Sequence, residues 1–426
     1  MINIVGGGLA GLYAAYKLHK RGLSVRVYEK SHRIGGRIGT IRFAGRDVPT
    51  GAGIGRGTDV LLRALCSELR VPVTEFTAAF KYRFTDPMVQ MLDIQKTVGV
   101  LRRHVKNVGF DRRSETFRCF ATRVLGEATY RAFVAKTGYS DYEDADAVDT
   151  LYNYGFEDTV PGYTALRVDW SGLLRRLGEE LEGRIRLGVT VGRLRGRGVT
   201  IVATDIDAAR KVTGKKLPAV STQPFARLYF SCEEDLDCGY TVCAPFQKII
   251  QMGRGKGSDG KQCMVYMIYC DNETARRIER SRKIKKYIED GVHEVFGKRV
   301  TVRECEVVYW ATGTHYFPPL GAMFENREDH IAELQRPFGP NSDVYVVGEA
   351  VSAHQGWCEG ALESVEAVLA APEFKGGGHR SSSRTAPRTC TAPSTTRARS
   401  RPSRPSMPSR PSRPSRPSRQ TKGLAT

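Results

Sequence analysis

The chain has 426 residues, of which 40% are hydrophobic, and a formal net charge of +20 at pH 7. This length is sufficient for two domains with a sizeable core, and no apolar run reaches the roughly 18 residues of a transmembrane helix. Because a strand pattern begins directly after Met1, we expect no signal peptide and an intracellular, by default cytoplasmic, protein. The ten cysteines form no C-x-x-C pair, so no metal site is predicted.

The predicted elements begin with a strand at residues 2–5, a glycine-rich turn and an amphipathic helix. The turn has the spacing G-x-G-x-x-G and contains Gly6, Gly8, Leu9, Ala10 and Gly11. In such a turn the first glycine permits a tight bend, the second lets a pyrophosphate approach the backbone, and the third lets the helix pack on the strand. The helix N-terminus would present free N–H groups to phosphates.

A second predicted strand, residues 23–28, is followed by Glu29 and Lys30. Glu29 lies 18 residues after Gly11, close to the spacing of about 20 at which an acid accepts a hydrogen bond from a ribose hydroxyl. Further small residues and an arginine follow, which indicates a second backbone approach to the same ligand. These residues are Gly35, Gly36, Arg37 and Gly53. The sequence therefore predicts a dinucleotide site.

This N-terminal run resembles the signature of the flavin-containing amine oxidase superfamily, which includes monoamine and polyamine oxidases, L-amino-acid oxidases, protoporphyrinogen oxidase and phytoene desaturases. The resemblance implies FAD rather than NAD. A later block is similar to the superfamily's Gly-Glu at the ribityl chain and to its turn against the flavin. The matching residues are Gly348, Glu349, Gly356, Trp357, Glu359, Gly360 and Ala361. Val191 resembles the valine whose backbone holds the adenine in relatives.

The expected fold is α/β, with a Rossmann-like FAD-binding domain and an inserted α+β substrate domain. The FAD-binding domain is expected to be discontinuous in sequence, and the segments between its parts are expected to form the substrate domain. The FAD-binding segments are 1–80, 181–215 and 335–374, and the substrate segments are 81–180 and 216–334. Within the substrate domain we predict helices at 93–106, 115–136 and 272–296, and strands at 226–232 and 262–270.

Residues 375–426 form a basic tail that contains eleven Arg, two Lys and no acid, so it carries +13 and leaves about +7 for the body. Because the tail has almost no large apolar side chain, we expect it to be disordered from about residue 376. Such a tail can bind nucleic acid or another polyanion nonspecifically, and the alternative is a solvated low-complexity extension. It has no aromatic residue for base stacking.

The resemblance implies hydride transfer from the carbon next to an amine nitrogen to flavin N5, with oxygen as acceptor and peroxide as product. Trp357 matches one wall of the aromatic cage of amine oxidases, or alternatively only packs against the flavin. Thr312 and Gly313 stand near the places of a flavin-linking cysteine and a cage tyrosine in monoamine oxidases. We therefore expect noncovalent FAD. The second wall of the cage is either missing or supplied by Tyr316 or Trp310.

Many relatives carry a lysine beside N5, and this chain does not. Arg227 is near that position but cannot act as a base, and Lys248 and Lys261 are the substitutes. Two alternatives therefore stay open. One is a desaturase or isomerase of an apolar substrate, favoured by a Phe- and Leu-rich pocket without an acid; the other is a catalytically weak flavoprotein with a structural, conceivably virion, role. Acids that would line a polyamine entrance, or lie in a solvated loop, are Asp141, Glu143, Asp144 and Asp146.

Overall fold

Two sheets organise the described part of this computed structural model, which comprises residues 1–107, 115–194, 198–321 and 326–375. The strands are β1 (Ile2–Val5), β2 (Val25–Tyr28), β3 (Thr40–Phe43), β4 (Arg46–Pro49), β5 (Gly55–Arg56), β6 (Val73–Thr77), β7 (Phe80–Arg83), β8 (Thr164–Val168), β9 (Ile185–Arg186), β10 (Thr200–Val202), β11 (Ser221–Cys232), β12 (Tyr240–Cys243), β13 (Gln247–Lys256), β14 (Gln262–Asp271), β15 (Glu304–Tyr316) and β16 (Val344–Val346). The predicted tail, residues 376–426, lies outside the described residues.

Helices cover both sheets. The α-helices are α1 (Leu9–Lys20), α2 (Val60–Glu68), α3 (Pro87–Met91), α4 (Ile94–Asn107), α5 (Phe117–Leu125), α6 (Glu127–Thr137), α7 (Ala147–Asp149), α8 (Trp170–Glu180), α9 (Ile206–Thr213), α10 (Asn272–Arg280), α11 (Ile284–Phe296), α12 (Arg327–Gln335) and α13 (Cys358–Leu369). Among the described residues, no helix is both long and apolar enough to cross a membrane.

The first sheet is parallel, with the strand order β16-β10-β1-β2-β9. Its central strand places Ile4 opposite Ile201 and Val27, and all three side chains are buried. Helices α1 and α13 cover this sheet in one apolar core. The predicted strand–turn–helix–strand unit is therefore confirmed, and the α/β fold class with it.

The second sheet has the order β15-β11-β14-β13-β12-β7 and is antiparallel except between β12 and β7. One face packs on α10 and α11, with Leu228 and Ile268 among the buried residues. On the other face, register places Arg227, Tyr269 and Lys248 in one row across β11, β14 and β13. Side chains on a strand alternate between faces, so this row points away from the helical core. Both predicted strands are confirmed.

Two of the helices were predicted as continuous, which is wrong, because each is interrupted in the structure. The helix predicted at 115–136 is two helices, α5 and α6, separated by Gly126 with φ of +79°. That φ lies outside the helical region and favours glycine. The helix predicted at 272–296 is α10 and α11, because the chain becomes extended at Ser281. The helix predicted at 93–106 is confirmed as α4.

Helix α8 packs in the same core as α1, through Trp170, Leu173 and Leu177. The expected domain boundary after residue 180 assigned this helix to the substrate segments. A helix contributes to the domain whose core its apolar side chains share. We therefore propose to count α8 with the nucleotide-binding half of the molecule.

Candidate functional site

A cavity of about 1240 Å³ extends from the carboxyl ends of β1 and β2 to the face of the second sheet opposite α10 and α11. In open parallel sheets, ligands bind beyond the carboxyl ends of the strands. All the predicted cofactor residues except Gly11, Glu359 and Gly360 line this cavity. Gly11 instead allows close packing, because a Cβ on it would lie 2.0 Å from the carbonyl oxygen of Gly6.

The glycine-rich turn is shaped to receive a ligand. Gly6 has φ of +108°, and a Cβ on it would lie 2.4 Å from the carbonyl oxygen of Ala203. Gly8 is different, because a Cβ there would meet no atom within 4 Å. The first hydrogen bond within α1 runs from the N–H of Leu12 to the carbonyl of Gly8, 2.9 Å away. The free N–H groups of the first turn and the open side of Gly8 fit a pyrophosphate.

Glu29 is held where a ribose would lie. Its Oε2 accepts the N–H of Gly7 at 2.7 Å, and its Oε1 accepts the N–H of Ser31 at 2.8 Å. Each carboxylate oxygen retains capacity for a further hydrogen bond. The N–H of Val189 donates to the backbone carbonyl of Glu29 at 2.9 Å, which brings the segment containing Val191 to the same wall.

Arg37 and Glu349 connect the two predicted cofactor segments. Arg37 Nη1 donates to Glu349 Oε1 at 2.6 Å and to the carbonyl of Gly313 at 2.8 Å. The N–H of Ile206 donates to Nε2 of His315, so Nδ1 carries the proton and donates to Glu349. Burial opposes ionisation, but His315 and Arg37 outweigh it and hold the pKa of Glu349 well below its usual value. Glu349 is thus a fixed anion in the wall.

Trp357 lines the cavity at the N-terminus of α13. The guanidinium carbon of Arg56 lies 5.0 Å from its ring centroid, within the range of a cation–π contact. Arg56 is itself anchored by a bond of 2.7 Å from its Nε to Asp59 Oδ1. Arg56 and Asp59 are not among the residues predicted from the sequence, although their i, i+3 spacing before a helix is typical of an ion pair. Glu359 does not line the cavity; it accepts the N–H groups of residues 61 and 62 and so caps α2.

Of the two aromatic candidates for the second wall, Trp310 lines the cavity and Tyr316 does not. Trp310 lines the cavity, and its indole N–H donates to the carbonyl of Thr50 at 2.7 Å. Thr312 and Gly313 follow it along the same wall. Tyr316 lies at the end of β15 opposite Ser221, outside the cavity lining.

Of the three basic candidates for the missing lysine, the structure brings only Arg227 to the cavity. Lys248 lies in the same row of the sheet but is covered by Tyr139, whose ring centroid is 2.9 Å from Nζ. Its Nζ also lies 3.5 Å from Asp158 Oδ2, and burial lowers the pKa of Lys248 to about 8. Lys261 is exposed in the turn before β14. Neither lysine lines the cavity.

The four acids that could line an entrance or lie in a solvated loop are at different places in the structure. Asp141 alone among them lines the cavity, where its Oδ1 accepts the hydroxyl of Tyr154 at 3.0 Å and burial raises its pKa to about 8. Asp146 caps α7, Glu143 accepts the hydroxyl of Tyr130 and Asp144 is exposed. The sequence analysis also missed four lining residues near Asp141, which are Tyr139, Tyr154, Asp158 and Tyr269.

Comparisons with known proteins agree with this architecture. Residues 4–69 match the family model of the NAD(P)-binding Rossmann-like domain. The chain is 44% identical over 70 residues to a probable flavin-containing monoamine oxidase A of Dictyostelium discoideum, a match that covers 16% of this chain and 15% of that protein. It is 27% identical over 132 residues to an uncharacterized protein, R188, of Acanthamoeba polyphaga mimivirus, covering 24% and 23% of the two chains. These matches span less than a quarter of either curated relative.

Solved structures extend the likeness to most of the chain. Putrescine oxidase bound to putrescine is similar with a TM-score of 0.69 and 15% identity, over 87% of this chain and 98% of that one. Cyclohexylamine oxidase from Brevibacterium oxydans is similar with a TM-score of 0.66 and 14% identity, over 87% and 97%. The chain therefore shares the fold of these two oxidases. The resemblance to the flavin-containing amine oxidase superfamily is confirmed, and that resemblance implies FAD.

Proposed function

We propose that this chain is an FAD-dependent oxidase of a small amine. The observation that carries the proposal is that one cavity joins the residues that fit a dinucleotide to a wall of aromatic and acidic side chains. Bound FAD would supply the acceptor for a hydride from the carbon next to the amine nitrogen, and oxygen would then be reduced to peroxide. The residues of the chain bind and orient the two molecules.

Trp357 and Trp310 are the walls that would orient the amine. Each lines the cavity and is held by a second group: Arg56 lies over Trp357, and the carbonyl of Thr50 accepts the indole N–H of Trp310. Fixed aromatic faces attract a cationic nitrogen. An amine must lose its extra proton before a hydride can leave the adjacent carbon. Asp141 lines the same cavity, and its ionised carboxylate is the group that we assign to receive that proton. Burial raises the pKa of Asp141 to about 8, so the ionised form predominates only above about that pH.

We infer that FAD is held without a covalent bond. Of the described residues that line the cavity, Cys358 is the one cysteine. Burial raises the pKa of its thiol to about 12, so it is not a reactive thiolate at neutral pH. Acid precipitation of the purified protein should therefore release all of its flavin into the supernatant, and yellow colour that stays with the pellet would contradict this.

The apolar desaturase is less well supported. That alternative requires a wall of Phe and Leu without an acid, whereas Asp141, Asp158 and Glu157 line this cavity. Oxygen consumption with a panel of aromatic, aliphatic and polyamine substrates tests the proposal. We expect one class of substrate to support oxygen consumption, with one molecule of peroxide released for each molecule of oxygen consumed. If no substrate of the panel supports oxygen consumption by protein that is fully loaded with FAD, the assignment as an amine oxidase is overturned.

A further inference from the structure

Arg227 is a buried cation on the cavity wall that has no carboxylate partner. Its side chain lines the cavity although the residue is only 8% exposed. Its Nε donates to the carbonyl of Gly51 at 2.7 Å, and its Nη1 lies 2.7 Å from the sulfur of Met267. Within the described part of the chain, no carboxylate oxygen forms an ion pair with it. Burial of an uncompensated charge is costly, so this arrangement calls for an anion.

The acids at this end of the cavity are already engaged by other groups. Asp158 accepts the hydroxyl of Tyr139 at 2.7 Å and lies beside Lys248. Asp141 accepts the hydroxyl of Tyr154. Glu157 lies 3.8 Å from Arg56. None of these carboxylates neutralises Arg227, although all three line the same cavity.

The surroundings of Arg227 hold its guanidinium in one place. A Cβ on Gly53 would lie 2.7 Å from Nη2, so glycine at that position makes the space for the planar group. The ring centroid of Tyr269 lies 5.7 Å from the guanidinium carbon. A planar guanidinium that is fixed in this way matches the geometry of a carboxylate.

We propose that Arg227 binds a carboxylate of the substrate, so that the preferred substrate is an amine that also carries a carboxylate group. The proposal rests on the proposed amine oxidase function for the amine end of the molecule. The carboxylate end rests on Arg227 alone. The aromatic walls of Trp310 and Trp357 line the rest of the same cavity.

Calorimetric binding of three probes to the FAD-loaded protein tests this directly, because it needs no turnover. Benzoate, benzamide and benzylamine share one ring and differ in the charge of the substituent. We expect benzoate to bind at least about tenfold more tightly than benzamide, as a charge-assisted hydrogen bond to a buried arginine requires. Equal binding of benzoate and benzamide to the unaltered protein would overturn the proposal.

Variants locate the site. Arg227→Met should remove the preference for benzoate, and Arg227→Lys should retain part of it. Arg46→Met is the matched control, because Arg46 also lines the cavity but donates to the carbonyl of Arg254. It should leave the preference unchanged. Loss of the preference in the Arg46 variant alone, or equally in both methionine variants, would contradict the assignment to Arg227. If Arg227→Met does not fold, the probe series on the unaltered protein and on Arg227→Lys decides.

The same experiment separates this inference from the proposed function. A preference for benzoate that depends on Arg227, without oxidation of any amine, would keep the anion site and overturn the oxidase. Oxidation of simple amines with no preference for benzoate would keep the oxidase and overturn the anion site. Both proposals predict that the unaltered protein oxidises an amine that carries a carboxylate. They also predict that Arg227→Met raises the KM for this substrate and so lowers its turnover.

Discussion

Arg37 Nη1 and Glu349 Oε1 lie 2.6 Å apart, although the two residues are 312 positions apart in the chain. The pair joins the segment after β2 to the segment after β16, and both segments line the cavity. Glu349 is nearly fully buried, whereas the side chain of Arg37 is 31% exposed. A buried carboxylate of this kind is stable only while its partners remain, so these two segments of the cavity wall depend on each other.

Glu349→Gln should therefore lower the free energy of unfolding by about 1–3 kcal/mol at pH 7. The folded protein holds the pKa of Glu349 below its ordinary value of 4.5. A depressed carboxyl pKa stabilises the fold above the unfolded value, and this stabilisation is lost as the pH falls. Melting of both proteins between pH 7 and pH 3.5 checks this. Their difference should shrink below about pH 4.5, and a constant difference would contradict the assignment.

Gly8→Val should abolish FAD binding without unfolding the protein. A side chain at Gly8 meets no atom of the protein within 4 Å, but it would fill the place of the pyrophosphate. Flavin absorbance per protein and the melting temperature are the measurements. Gly11→Val is the contrasting variant, because its Cβ would lie 2.0 Å from the carbonyl oxygen of Gly6. That variant should lose the fold itself. Full flavin in Gly8→Val would contradict the site.

Trp357→Ala should leave FAD bound but lower kcat/KM for an amine by about tenfold or more, since a cation–π contact in a desolvated site contributes about 2 kcal/mol. Trp357→Phe keeps an aromatic face and should recover most of the activity. Stopped-flow reduction of the flavin measures both variants. Unchanged kinetics in Trp357→Ala would show that the ring only packs against its neighbours.

Lys248→Met should affect stability rather than chemistry. Lys248 is covered by Tyr139 and paired with Asp158, and it does not line the cavity. Removal of the lysine leaves Asp158 buried without its cation, which is destabilising. We expect a lower melting temperature and a rate of flavin reduction within about threefold of the unaltered protein, or roughly 0.6 kcal/mol in the barrier. A loss of rate of about a hundredfold or more would make Lys248 a catalytic residue.

The part of the cavity beside the first sheet could be predicted from the sequence, because the motifs that form it are local in the chain. The turn from Gly6 to Gly11, the acid Glu29 and the pair Gly348 and Glu349 each lie within a few residues of a strand end. Such short patterns fix both the backbone conformation and the position relative to the sheet. The structure places nearly all of these residues on one cavity wall.

The wall around Arg227 could not be predicted in the same way, because its residues meet only through strand register. Arg227 lies opposite Tyr269, and Tyr269 lies opposite Lys248, on three strands joined by antiparallel pairing. No spacing along the chain encodes that row. The covering of Lys248 by Tyr139 comes from yet another segment. Likewise, Trp310 and Tyr316 looked equivalent in the sequence, and only the course of β15 separates them.

We propose that this chain binds FAD and uses it to oxidise an amine. The most direct measurement is the visible spectrum of the purified, FAD-loaded protein before and after addition of amines in the absence of oxygen. We predict that at least one amine bleaches the oxidised flavin bands, and that admission of oxygen restores them. Flavin bands that no amine bleaches, or a purified protein that binds no flavin, would contradict the account.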